Sequence, residues 1–336
     1  MVDRVCLRGV AAALPPHVRT SAEVEALVAR ASPAYRVRAG SVESLSGVRT
    51  RHVAADGVQC SDLAAEAAAR ALDAAGRRPS DVDLLVFAAA SQDLLEPATA
   101  HIVQAKLGTR AQVFDLKNAC NSFLDGLQVA ESLVRGGAAR TAVVATGEVC
   151  SRAVAWEVRD GAEFRRGFPG YTMGDAGAAV VLERSDDGRG IFHHHTEALS
   201  EHWELATIRG GGSMHPRDHA HDYLHAEGVR LKEAFITHGP AVLARSMCRA
   251  GVTFADFRRI LVHQATLPYL DEMLDATGMP RDLVEVTVVD HGNMAAASLP
   301  VAYAQAAARG DLAPGDRVLW VGLASGISVH VMMSDV

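Results

Sequence analysis

Val113-Phe114-Asp115-Leu116-Lys117-Asn118-Ala119-Cys120-Asn121-Ser122-Phe123 joins a short strand-like run to a long amphipathic one. Leu124, Leu127, Ala130, Leu133 and Val134 recur beyond it at helical spacing. The pattern predicts a strand near Val113 and a helix N-capped by Asn118, with Cys120 in the first helical turn. Unpaired N–H groups and the positive end of the helix dipole favour a thiolate there. A thiolate so held is a nucleophile for a carbonyl carbon. The competing reading of the same segment is a cysteine packed as a small hydrophobe.

Composition narrows the setting. The chain has 336 residues, 49% hydrophobic and 22% charged, which suits one large or two fused α/β domains. A net charge of −7 argues against nucleic acid as the main partner, because phosphate neutralisation needs a basic surface. No apolar run reaches the length of a membrane span, and Met1-Val2-Asp3-Arg4 lacks a signal-peptide pattern. Cys6, Cys60, Cys120, Cys150 and Cys248 are odd in number and far apart. They form neither a disulfide framework nor a metal-ligand spacing, so a reducing cytoplasm is expected.

Strands and helices alternate along the chain. A helix is expected over Ser61 to Ala75, and buried strands over Asp83 to Ala88, Thr141 to Thr146 and Ala178 to Leu182. The third strand follows the glycine turn Gly174-Asp175-Ala176-Gly177, where Asp175 reads as structural. A polar stretch from Ser185 to Gly190 separates two halves, residues 1–185 and 186–336. In the second half, a polar segment from His193 to His225 precedes a helix from about Ala226 to Ala250. Then come the strand Ile260 to Val262, a helix from Pro268 to Thr277 and a strand Val286 to Val289. A helix from Leu299 to Ala308 and strands near Val318 to Gly322 and Val329 to Met333 close the chain. The two comparable series suggest an old duplication.

Ligands of layered α/β folds gather at strand carboxyl ends. Cys120, His263 in His263-Gln264-Ala265-Thr266, and Asn293 in Asp290-His291-Gly292-Asn293 occupy such ends, in the order Cys, His, Asn. Taken singly, each has a structural reading: a packed thiol, a hydrogen-bonded histidine, a turn asparagine.

Together with Met173 to Ala178, Ala296-Ala297-Ser298-Leu299-Pro300 and Gly322 to Gly326, these motifs resemble the thiolase superfamily, specifically the β-ketoacyl-acyl carrier protein synthase III group. The resemblance covers nearly the whole length. It implies an α/β, thiolase-like layered αβαβα fold from two duplicated halves, and a cytoplasmic homodimer using acyl-CoA or acyl carrier protein thioesters, with no cofactor. Cys120 would carry the acyl group. His263 and Asn293 would donate to the thioester carbonyl of a malonyl-type substrate and stabilise its enolate. The backbone N–H groups of Cys120 and of the Ala324-Ser325-Gly326 loop would form the oxyanion hole.

Departures from the group concern substrate. Members that prime fatty acid synthesis grip the coenzyme A adenine with a tryptophan and an arginine ahead of a run matched here by Ser46-Gly47-Val48-Arg49, and Ser41 to Leu45 contains neither. Trp156 and Arg152 lie elsewhere. Thr266 stands where asparagine is usual, and Ala324-Ser325-Gly326 replaces a triple glycine. Glu96, before Pro97, puts a carboxylate where the group sends an apolar residue into the partner's acyl pocket. This is similar to enzymes that condense two long acyl thioesters, in which a glutamate of the partner acts as base. The other reading of Glu96 is a solvated loop carboxylate.

The histidines of 193–225 match no compact zinc spacing, so no metal is expected, and Gly210-Gly211-Gly212 reads as a flexible loop. Arg152, Arg159, Arg165 and Arg166 form either a landing patch for an acidic carrier protein or solvated surface. The resulting expectation is a condensing enzyme of specialised metabolism, such as polyketide biosynthesis. One rival is an acyltransferase passing the acyl group from Cys120 to a hydroxyl or amine, with His263 as general base. Another is a non-catalytic partner subunit of a heterodimeric synthase.

Overall fold

In the computed structural model, which describes residues 4–336, two sheets set the architecture. The first has the strand order Val5–Ala13, Ala176–Arg184, Thr141–Glu148, Leu84–Ala88, Gln112–Leu116. The second runs Ile191–Ala198, Ser328–Asp335, Arg317–Ala324, Arg259–Val262. In each sheet the first two pairings are antiparallel and the next is parallel. The second sheet therefore repeats the order of the first without its outermost strand.

Alternation along the strands divides the apolar side chains between layers. Leu84 and Val86 face inward with Val318 and Trp320, against the helices Ser122–Arg135 and Ser298–Ala308 that fill the middle. Leu85 and Phe87 face outward under the helices Cys60–Ala75 and Thr99–Leu107. Leu319 and Val321 face outward under Gly228–Ala250 and Leu267–Thr277. The result is the five-layer αβαβα arrangement that the resemblance implies. Among the described residues, no helix is long and apolar enough to cross a membrane.

One expected strand fails. Val286 to Val289 is not a strand: the chain turns into the short helix Val288–His291. The Gln264 side chain captures the N–H groups of Thr287 (3.0 Å) and Val288 (3.1 Å), which a strand would give to a neighbour. His193 to His195, where the polar segment begins, lie in the strand Ile191–Ala198. Their side chains alternate across it. His193 meets Ser246 of the outer helix at 2.9 Å, and His194 points inward to Glu131 and His330.

Candidate active site

Cys120 sits in the bend between strand and helix, not in the helix. The helix begins at Ser122, and Asn118 does not cap it. The Asn118 side chain instead donates to Asp125 at 2.6 Å. Ser122 Oγ accepts from the Asn118 N–H at 2.8 Å and donates to the Ala119 carbonyl at 2.7 Å. These bonds hold Ala119 at a φ of 48°, an uncommon left-handed conformation for a residue with a Cβ.

Burial then reverses the expected electrostatics of the thiol. It pushes the Cys120 pKa up to about 12, and the Glu148 carboxyl adds to the rise. The resting nucleophile is a thiol.

Glu148 ends the fully buried strand Thr141–Glu148. It accepts from the N–H groups of Ala90 (2.7 Å) and Ser91 (3.0 Å), and the Cys150 thiol lies 3.7 Å away. Burial raises its pKa, while the bonds from Ser91, Ala90 and Ala296 work in the other direction. A carboxylate closing an otherwise apolar strand is the signal that would have revealed it in the sequence.

His263 follows the strand Arg259–Val262 and is locked to the neighbouring strand through its N–H on the Val321 carbonyl, 2.9 Å. The ring is buried, and its Nδ1 has no partner among the described residues. Burial alone lowers its pKa to about 4, so the imidazole is neutral at physiological pH. Gln264 ties this strand end to the segment leading to Asn293, through the two bonds above and a third from Nε2 to the Glu285 carbonyl, 2.5 Å.

Asn293 is fixed from both sides of its backbone. Its N–H donates to the Thr172 carbonyl at 2.9 Å, and its own carbonyl accepts from Gly174 at 3.0 Å. Its Oδ1 accepts from the Ala295 N–H at 3.0 Å, so the side chain presents Nδ2, a donor. Gly174 has no room for a side chain, since a Cβ would lie 2.2 Å from the His291 carbonyl oxygen. Asp175, buried beside it, accepts from the N–H groups of Ala54 and Ser151, each at 2.8 Å, as a structural residue does.

The loops are interlocked. Asn121, next to Cys120, donates to the Ser328 carbonyl (3.1 Å) and hydroxyl (2.8 Å), beyond the turn that carries Ser325. It packs on Gly322, next to the Val321 that holds His263. The Ala296 N–H reaches Glu148 from the Asn293 side. A thiol and a neutral imidazole beyond strand ends, and an amide donor just past the short helix Val288–His291, are thus carried on mutually braced loops, a set able to accept an acyl group and stabilise an oxyanion.

Comparison with known proteins agrees with this arrangement. Residues 114–200 match the family described as 3-Oxoacyl-[acyl-carrier-protein (ACP)] synthase III, and residues 247–335 match its C-terminal part. The β-ketoacyl-acyl carrier protein synthase III of Hyphomonas neptunium is 33% identical over 333 residues, covering 98% of each chain. That of Dinoroseobacter shibae is 34% identical over 334 residues, again 98% of each. The chain belongs to the β-ketoacyl-acyl carrier protein synthase III family. Members of this synthase family are condensing enzymes of the transferase class. Crystal structures of Xanthomonas campestris OleA share the fold, with a TM-score of 0.90 at 24% identity over 100% of this chain and 98% of that one.

Against that family background, the residues that depart from it have specific surroundings. Thr266 caps the helix Leu267–Thr277, accepting from the Tyr269 N–H at 3.3 Å. Trp156 stacks on Tyr171 and carries the Arg19 guanidinium 5.8 Å from its ring centroid. Arg152 donates to the Val58 carbonyl at 2.6 Å and to Gln59 at 3.2 Å. Both residues are engaged within this chain. Arg159 is paired with Glu163, while Arg165 and Arg166 are exposed. Glu96 is exposed on a loop whose Leu94 and Leu95 are 50% and 72% accessible.

The structure also contains a buried polar chain that sequence reading missed. Asp125 contacts His330 at 2.7 Å, His330 contacts His194 at 3.0 Å, and His194 contacts Glu131 at 2.8 Å. It begins at Asn118 and ties the cysteine loop to the second sheet.

Proposed function

We propose that this protein forms an acyl thioester on Cys120 and extends it by decarboxylative condensation with a malonyl-type thioester. Cys120 Sγ attacks the donor carbonyl, the donor C–S bond breaks, and the thiol proton passes through neutral His263 to the departing thiolate. The oxyanion of this step rests on the N–H groups of Cys120 and Ser325. The malonyl C–C bond then breaks, carbon dioxide leaves, and its electron pair forms an enolate whose oxygen accepts from His263 and from Asn293 Nδ2. The enolate carbon attacks the acyl carbonyl and expels Cys120 as a thiolate, which is reprotonated.

One observation carries this reading. Asn293 is oriented to donate, because the Ala295 N–H occupies its Oδ1. An acyltransferase to a hydroxyl or amine has no enolate to hold and no use for that orientation. The engaged state of Trp156 and Arg152 supports a donor grip different from that of fatty acid priming, hence a role in polyketide or other specialised metabolism. The exposed Leu94-Leu95-Glu96 tip supports a homodimer in which the tip enters the partner's site. A second reading rests on the same tip: Glu96 of the partner subunit acts as base in a condensation of two acyl thioesters.

Intact-protein mass after incubation with a panel of acyl-CoA and acyl carrier protein donors tests this, in the parent and in Cys120→Ala. The expected result is a Cys120-dependent adduct that malonyl thioester discharges with carbon dioxide and a β-keto product. An adduct cleared only by an alcohol or amine would establish the acyltransferase. One cleared by a second acyl thioester, and lost in Glu96→Ala, would establish the second reading. No adduct with any donor would point to a non-catalytic subunit.

A further inference from the structure

We infer that His215, Asp218 and His221 form a transition-metal site outside the condensing centre. They lie in the excursion between the short paired strands Ala206–Thr207 and His225–Ala226. One ligand atom from each residue falls within 4.8 Å of those of the other two. In a tetrahedral site with bonds of about 2.0 Å, ligand atoms are about 3.3 Å apart, so small side-chain adjustments close the set on an ion.

The excursion is built to bring these residues together. The Gly210 N–H donates to the His221 carbonyl at 2.8 Å, and the Gly211 N–H donates to the His215 carbonyl at 3.0 Å. A Cβ at Gly210 would lie 3.0 Å from the Asp222 backbone nitrogen and from the His221 carbonyl carbon, a tight approach that glycine relieves, and Gly211 takes a φ of +79°. The glycine run is therefore the brace of this loop. Asp218 is pre-oriented: Oδ1 accepts from the Ala220 N–H at 3.1 Å, and Oδ2 faces His221 Nε2 at 3.5 Å. The two imidazoles pack against each other with centroids 3.7 Å apart.

Among the described residues, no hydrogen bond engages the His215 ring. Two imidazoles and one oriented carboxylate suit zinc, nickel or cobalt, not the all-oxygen shells of magnesium or calcium. An ion there would staple a loop that is otherwise anchored where Leu224 donates to Ala153 at 2.8 Å and Glu227 donates to Leu205 at 2.8 Å.

Calorimetric titration of the tag-free full chain with ZnCl2, and with MgCl2 as contrast, tests the site. One zinc per chain is expected with a Kd of about 10 µM or tighter, and no magnesium binding. His215→Ala, His221→Ala and Asp218→Asn should each weaken zinc by tenfold or more, whereas His202→Ala and His238→Ala, in a separate half-buried pair, should leave it unchanged. Trypsin gives a readout independent of affinity: zinc should slow cleavage after the exposed Arg209 and Arg217 in the parent but not in His215→Ala. Failure to bind zinc, or binding that survives in the His215→Ala/His221→Ala double variant, would overturn the inference. Neither outcome bears on Cys120 chemistry.

Discussion

Gly322→Ala is the sharpest probe of how the cysteine loop is held. A Cβ at this position would lie 2.2 Å from Asn121 Oδ1 and 2.8 Å from Leu124 Cδ1. Neither neighbour has solvent to retreat into, since both are fully buried. Asn121 must therefore leave Ser328, breaking two hydrogen bonds that each contribute about 1 kcal/mol. Overpacking adds about 1–3 kcal/mol, for a destabilisation of about 3–5 kcal/mol. Asn121 adjoins Cys120, so the sulfur moves with it, and a displacement of about 1 Å costs on the order of 100-fold in rate. Thermal melting together with the rate of Cys120 acylation by intact-protein mass measures both effects. Asn121→Ala added to Gly322→Ala removes the closer clash, leaves the one with Leu124 and does not restore the lost bonds. The double variant should recover only the share of the overpacking that Asn121 causes and leave acylation slow. If Gly322→Ala alone acylated within about threefold of the parent, the bracing argument would be refuted.

Three further perturbations follow from the same geometry. Gln264→Leu leaves the Thr287 and Val288 N–H groups buried without an acceptor, and about 3 kcal/mol of stability should be lost, read by urea denaturation. Condensation in that variant should fall more than acylation, because the segment released is the one carrying Asn293. Alkylation of Cys120 by iodoacetamide should accelerate about tenfold per pH unit through pH 9 with no plateau, because its thiol is pushed up to about 12; a plateau near neutrality would show that the helix terminus, not burial, governs the thiol. Burial holds His263 and His194 down to about 4, below the ordinary histidine value of about 6.5. The unfolded chain then binds more protons than the folded one, so folding stability is full above about pH 6.5 and falls as the pH drops towards about 4. Each histidine accounts for at most about 3 kcal/mol of that loss, and His194→Asn should flatten the acid limb of a melting-temperature profile.

What the sequence reveals and conceals here follows the range of the interactions. The layering was legible because each strand and helix carries its own period, as in Leu84 to Ala88, whose alternate residues face different layers. Cys120, His263 and Asn293 stood out because short motifs surround them. The misread features are those in which a side chain from elsewhere competes for backbone groups. Val286 to Val289 has strand composition, yet Gln264, more than twenty residues upstream, takes two of its N–H groups. Asn118 has the right type and spacing for an N-cap, but Ser122 and Asp125 draw its backbone and side chain into a bend, and the helix starts later. The thiol was misjudged for a related reason. A helix terminus acts over one turn and is visible locally, whereas desolvation depends on how five layers close over the residue. Glu148 and the His194–His330 pair are of the same kind, since each becomes chemical only when another layer buries it. His215, Asp218 and His221 mark the limit of spacing as a guide, because glycines at 210 and 211, rather than the interval between ligands, bring them together.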